Sequence, residues 1–86
     1  MIGNIRYIYI DQSVIEKKFR IILKSISGSY CFGHCYFVSK DGKEEEFVGG
    51  YYPNSLDATF TIPQDTVKLK FSFQRNFGIY EIQLVD

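Results

Sequence analysis

The chain has 86 residues, with ten Lys/Arg against ten Asp/Glu and a formal net charge of zero. That length allows one domain with a modest core, and a content of 45% hydrophobic and 17% aromatic residues excludes disorder. No basic run is longer than Lys17-Lys18, which excludes a phosphate-backbone footprint and therefore a nucleic-acid partner.

No apolar run approaches the ~18 residues needed to span a bilayer, so no membrane insertion is expected. The N-terminal MIGNIRYIYIDQ has no charged n-region followed by an apolar stretch of signal length. The expectation is a soluble domain, either not secreted by that route or an excised or mature piece, with no compartment assigned.

In chain order, Asn4–Ile10 reads as a strand with Ile5, Tyr7 and Tyr9 on one side and Arg6, Ile8 and Ile10 on the other. Residues 13–26 carry two signals. Ser13 with Glu16 has the form of a capping box, and Ile15, Phe19, Ile22 and Ile26 fall at helical spacing. Against this, Phe19, Ile21 and Leu23 alternate with Arg20, Ile22 and Lys24 in a β-branched run, and a strand over Lys18–Ile26 is the preferred reading. A helix here would make the fold α+β instead of all-β.

Ser27-Gly28-Ser29 turns the chain into Ser29–Ser39, the stretch that holds both cysteines, the single histidine and four aromatics. As a strand it places Tyr30, Phe32, His34, Tyr36 and Val38 on one face and Cys31, Gly33, Cys35 and Phe37 on the other. Asp41-Gly42 predicts a two-residue type I′ hairpin. It leads into a strand over Glu44–Val48 whose three glutamates mark a solvated, edge-protecting start.

Gly49–Ser55 reads as the longest loop, with Tyr51 and Tyr52 exposed on it. Asp57–Ile62 is a short strand with Ala58, Phe60 and Ile62 on one side. Val67–Phe73 alternates cleanly, with Val67, Leu69, Phe71 and Phe73 inward and Lys68, Lys70 and Ser72 in water. Ile79–Val85 closes the domain. About seven short strands joined by Gly/Pro/Asp turns predict one all-β domain over residues 1–86, an antiparallel β-sandwich.

The segments Thr59-Phe60-Thr61-Ile62-Pro63, Val67–Phe73 and Gly78–Leu84 resemble the closing strands of jelly-roll carbohydrate-binding modules and galactose-binding-like sandwiches. The resemblance covers roughly the last 30 residues. It implies a jelly-roll-like sandwich that binds a ligand without catalysis. Many such modules hold a structural calcium through an aspartate of the final strand. The comparable positions here are Glu81 and Gln83, so no cofactor is expected.

A catalytic site is not expected either. His34 is the only histidine, and strand geometry turns Cys31 and Cys35 away from it, which disperses a Cys–His nucleophile pair. The same geometry splays Cys31, His34 and Cys35 as zinc ligands, so no metal is assigned. Within one strand the two cysteines stand roughly 13 Å apart, too far for a disulfide.

A binding platform remains. Sugars lay apolar C–H faces on aromatic rings, and Tyr30, Tyr36, Tyr51 and Tyr52 offer such rings. His34, Asn54 and Arg75 would hydrogen-bond the hydroxyls. The partner is then a glycan. The alternative is an assembly domain of a phage or secreted structure, whose tyrosines meet another protein subunit or a second copy in a homo-oligomer.

Overall fold

The computed structural model describes residues 3–25, 31–52, 55–74 and 77–85. Seven strands run β1 Gly3–Tyr9, β2 Lys18–Ser25, β3 Cys31–Ser39, β4 Glu44–Tyr52, β5 Ser55–Thr61, β6 Thr66–Gln74 and β7 Phe77–Val85. They form two antiparallel sheets, ordered β1-β6-β3-β4 and β5-β2-β7. The fold is an all-β sandwich.

The ambiguous segment resolves to strand. One 3₁₀ turn spans Gln12–Val14, where the Asp11 carboxylate accepts the Ser13 N–H at 2.9 Å. Ile15 is already extended, and Glu16 takes φ of 65°, which stops any helix from propagating. Lys17 and Glu16 then bond to the backbone of Ile62, which launches β2. Tertiary burial of Phe19, Ile21 and Leu23 outweighs the local helical spacing, because only the strand period puts all three on one face.

The two sheets enclose Ile21, Leu23, Cys35, Phe37, Phe60, Ile62, Leu69, Phe71 and Phe73. Along β6, Leu69, Phe71 and Phe73 are buried as expected, while Lys68, Lys70 and Ser72 lie half-buried on the opposite face; Val67, expected inward, is only half-buried, and at the register shift beside it Thr66 is buried instead. Phe71 is fully buried at the centre.

Two expectations are corrected. Ser39 N–H bonds the Lys43 carbonyl at 2.9 Å, so the β3–β4 hairpin closes on a three-residue loop, Lys40 to Gly42, not a two-residue type I′ turn. Gly42 N–H bonds the Ser39 carbonyl at 2.9 Å, and Gly42 alone in the loop has positive φ, 87°. A type I′ turn needs two such residues. The Ser39 side chain helps close the loop by donating to the Asp41 carboxylate.

Gly49–Tyr52 is not loop but the second half of β4, paired with Cys31–His34 of β3. Gly50 sits opposite Gly33, and the ladder continues through both because β3 supplies the pairing partners on that side. Glycines that looked like a turn are interior strand positions.

The outer face of the four-stranded sheet as candidate functional site

Residues directly opposite one another in a ladder share a face, so register alone assembles this surface. Ile5, Ser72, His34 and Gly49 make one cross-strand row. Tyr7, Lys70, Tyr36 and Glu46 make the next, and Tyr9, Lys68, Val38 and Glu44 the third. Tyr7 and Tyr36 stand two strands apart, about 10 Å.

This face is open and aromatic. Tyr9 is 76% exposed and Tyr7 46%. The Lys68 Nζ lies 4.5 Å from the Tyr7 ring centre and 5.7 Å from that of Tyr9, and the Lys70 Nζ 5.3 Å from that of Tyr36. These are cation–π distances. They hold the ammonium groups between the rings and keep the lysine stems against the sheet.

A bulge brings the acidic groups in. The β3–β4 register shifts between Cys35 and Tyr36, leaving Phe47 as the extra residue. Phe47 turns into the core, its ring 4.1 Å from that of Phe37 and 4.7 Å from that of Phe60. Glu44 and Glu46 then both point outward. Lys70 Nζ donates to both Glu44 carboxylate oxygens at 3.1 Å, and these bonds hold the Lys70 pKa above the ordinary lysine value. Glu46 pairs with His34 Nδ1. The glutamates expected only as a solvated strand start thus partner Lys70 and His34 on this face.

Gly49 makes room for that second pair. A Cβ at Gly49 would stand 2.6 Å from His34 Nδ1 and 2.7 Å from the Glu46 carboxylate carbon. His34 and Tyr36 rings lie 6.2 Å apart with planes 24° from parallel.

Of the residues expected to bind ligand, His34 and Tyr36 are therefore placed side by side on this face. Tyr51 and Tyr52 stand in β4 opposite Phe32 and Cys31, with side chains outside the described set. Tyr30, Asn54 and Arg75 lie outside the described residues. Tyr7, Tyr9, Lys68 and Lys70 were not expected as site residues. The period-two spacing of Ile5, Tyr7 and Tyr9 was visible, but not that β6 would seat them two strands from β3.

The face offers ring surfaces and paired polar groups; the thiol beneath it is chemically quiet. Cys35 is a free thiol with no exposed surface on the core side, opposite to His34, and burial pushes its pKa up to about 12, with Glu46 adding to the shift. A thiol so protonated is no nucleophile near neutral pH. Among the described residues, no group of three His, Cys, Asp or Glu side chains is arranged to hold a metal ion. No described helix is long and apolar enough to cross a membrane. No protein-family model, curated protein or solved structure matches the chain.

Proposed function

We propose that the chain is a non-catalytic carbohydrate-binding module of jelly-roll type, which takes its ligand on the outer face of the β1-β6-β3-β4 sheet. The observation that carries this reading is the array of Tyr7, Tyr9 and Tyr36 on one open surface, interleaved with Lys68 and Lys70 and bordered by Glu44, Glu46 and His34. Sugar C–H faces stack on the rings. Hydroxyls donate to the glutamates and accept from the lysines. Two ring platforms about 10 Å apart suit an oligosaccharide better than a single sugar. Tyr51, opposite Phe32, continues this face by register, whereas Tyr52, opposite Cys31, falls on the other face and leaves the proposed site. Tyr30, Asn54 and Arg75 stay as proposed ligand contacts from the sequence.

Affinity electrophoresis through gels cast with a panel of polysaccharides tests this. Retardation is expected on at least one, weakened about tenfold by Tyr9→Ala or Tyr36→Ala, which corresponds to about 1.4 kcal/mol. Arg20→Ala, on the opposite side of the sandwich, should leave it unchanged. Absence of retention on every polysaccharide sinks the reading.

One observation favours a second reading, a contact face for another protein subunit. Ile5 is 58% exposed beside the tyrosines and offers a sugar nothing specific. Light scattering that shows an oligomer dispersed by Ile5→Lys would support it over the glycan.

A further inference from the structure

The outer face of the four-stranded sheet is divided by charge. On its β4 side stand Glu44 and Glu46, and both are engaged. Glu44 gives its two carboxylate oxygens to Lys70 Nζ, each at 3.1 Å, and Glu46 pairs with His34. On the other side, Ile5, Tyr7 and Tyr9, which β1 brings to this face by register, carry no charge.

Lys68 is what this division leaves over. Among the described residues, no carboxylate lies within ion-pair distance of it. Glu44, the acidic residue of its own cross-strand row, is taken by Lys70. Asp11, two residues beyond Tyr9, accepts the Ser13 N–H. Lys68 has rings instead: its Nζ lies 4.5 Å from the Tyr7 centre and 5.7 Å from that of Tyr9. A ring supplies a quadrupole and not a charge, so it orients the ammonium without neutralising it.

The same two rings are the widest open surface on the face. Tyr9 is 76% exposed and Tyr7 46%, whereas Tyr36, beside the Lys70–Glu44 pair, is half-buried. The unneutralised cation and the open rings coincide at the β1 end. The neutralised cation and the covered ring coincide towards β4.

We propose that the ligand is an acidic glycan, whose carboxylate or sulfate group binds the Lys68 ammonium while the sugar that carries it stacks on Tyr9 and Tyr7. This rests on the glycan reading above and adds to it the charge of the ligand and the end of the face where that charge sits. The ammonium donates charge-assisted hydrogen bonds to the anion, which are shorter and stronger than those it would make to a hydroxyl. One anion balances the one cation that this face leaves without a carboxylate. An uncharged sugar in the same place stacks equally well but leaves Lys68 unneutralised.

Affinity electrophoresis compares polygalacturonate with its methyl ester, and cellulose sulfate with hydroxyethylcellulose. Within each pair the sugar backbone is kept and the charge is changed, and the two pairs distinguish carboxylate from sulfate. The acidic member of at least one pair should retard the intact chain about tenfold more strongly than its uncharged counterpart. Lys68→Gln should bring that retardation down to the uncharged level, and Lys68→Arg, which keeps the cation, should retain it. Lys18→Gln removes an equal charge from an exposed position on the outer face of the other sheet and should change nothing. Equal retardation by both members of each pair, still weakened by Tyr9→Ala, overturns the charge assignment and leaves the glycan reading standing. Retardation by none of the four overturns it as well, and the wider polysaccharide panel then decides the glycan reading separately. So does an equal loss in Lys18→Gln and Lys68→Gln, or displacement by polyglutamate as complete as by the acidic polysaccharide, since charge alone would then bind and an acidic protein would serve as well.

Discussion

The two outer faces of this sandwich cover the same core and differ in what they do with their polar groups. On the three-stranded sheet, Arg20 donates from Nε to Asp57 Oδ1 at 2.8 Å and from its terminal nitrogen to the other carboxylate oxygen. Gln83 donates to Glu81. That face closes its hydrogen bonds upon itself and carries no aromatic ring on a described side chain. The four-stranded sheet pairs Lys70 with Glu44 and His34 with Glu46 but leaves the Tyr7 and Tyr9 rings exposed, with Tyr36 half-buried beside them. A face of charged and polar groups that bond one another is a solvated surface. One that holds exposed rings in place with bound cations keeps apolar area in water, and that arrangement is what binding surfaces retain.

The largest expected effect removes the comparison altogether. Phe71 is fully buried between the sheets, its ring 5.8 Å from that of Phe73. Phe71→Ala should cost about 3–5 kcal/mol, measured by urea denaturation, and both faces should be lost in one transition because they share one core. Ile8→Ala, on β1 where the side chain is 38% exposed, should cost well under half as much. Equal costs would mean that Ile8 is as enclosed as the centre.

Next in size is the alkaline limit of stability. Burial raises the Cys35 thiol from 9.0 to about 12. A raised folded value means that the folded state keeps a proton the unfolded chain gives up. The contribution is complete below pH 9 and is lost as pH rises from 9 towards 12. The stability difference between the wild-type chain and Cys35→Ala should therefore narrow across that window, followed by denaturation at each pH. Tyrosine and lysine titrations occur in both proteins and cancel. A difference independent of pH would mean that the thiol is not buried against the core.

Most of the fold was legible because alternation is a strong signal where one face is buried. Val67 to Phe73 assigned itself to a strand, Phe19 to Leu23 did so only against a competing helical spacing, and the chemistry of Cys35 followed from which way its strand pointed. Less was legible where two residues of like type serve different ends. Gly49 and Gly50 read as a turn because glycine is common in turns; only the β3 partner shows them to be ladder positions. The candidate site was half legible for a related reason. His34 and Tyr36 stood out as rare groups on one stretch, whereas Tyr7 and Tyr9 join them only through β6, a pairing across some sixty residues that no local pattern encodes. The bulge at Phe47, which turns Glu44 and Glu46 to the outer face although Val48 lies opposite the buried Cys35, has no signature in a run of three glutamates.

A smaller effect separates the faces at acid pH. Arg20 hydrogen-bonds the Asp57 carboxylate and holds its pKa below the ordinary aspartate value. A depressed folded value stabilises above the unfolded pKa and is lost as pH falls below about 4. Both groups are solvent-exposed, so the contribution is small and weakens with salt. Arg20→Ala should return Asp57 to an ordinary titration by NMR and flatten the acid limb of stability slightly. The proposed glycan binding on the other face should not change. A loss of binding in this variant would mean that the two faces are coupled through the core and cannot serve as control and site.

The smallest change in stability should come with the sharpest change in local geometry. Gly49 is exposed, and the atoms that a Cβ would meet are the ends of two side chains, His34 and Glu46, not backbone. The Glu46 side chain is itself 46% exposed and can swing into water. Gly49→Ala should therefore cost less than about 1 kcal/mol while parting the imidazole from the carboxylate. The readout is the proximity of the His34 ring to the Glu46 side chain by NMR, which should be lost once the Cβ stands between them. The same variant then asks whether the pair belongs to the binding face. If sugar hydroxyls use His34 and Glu46 as a fixed unit, retardation should weaken in Gly49→Ala although Tyr7, Tyr9 and Tyr36 are untouched. If the rings alone carry the affinity, it should stay as it is, and the polar half of the site narrows to Glu44, Lys68 and Lys70.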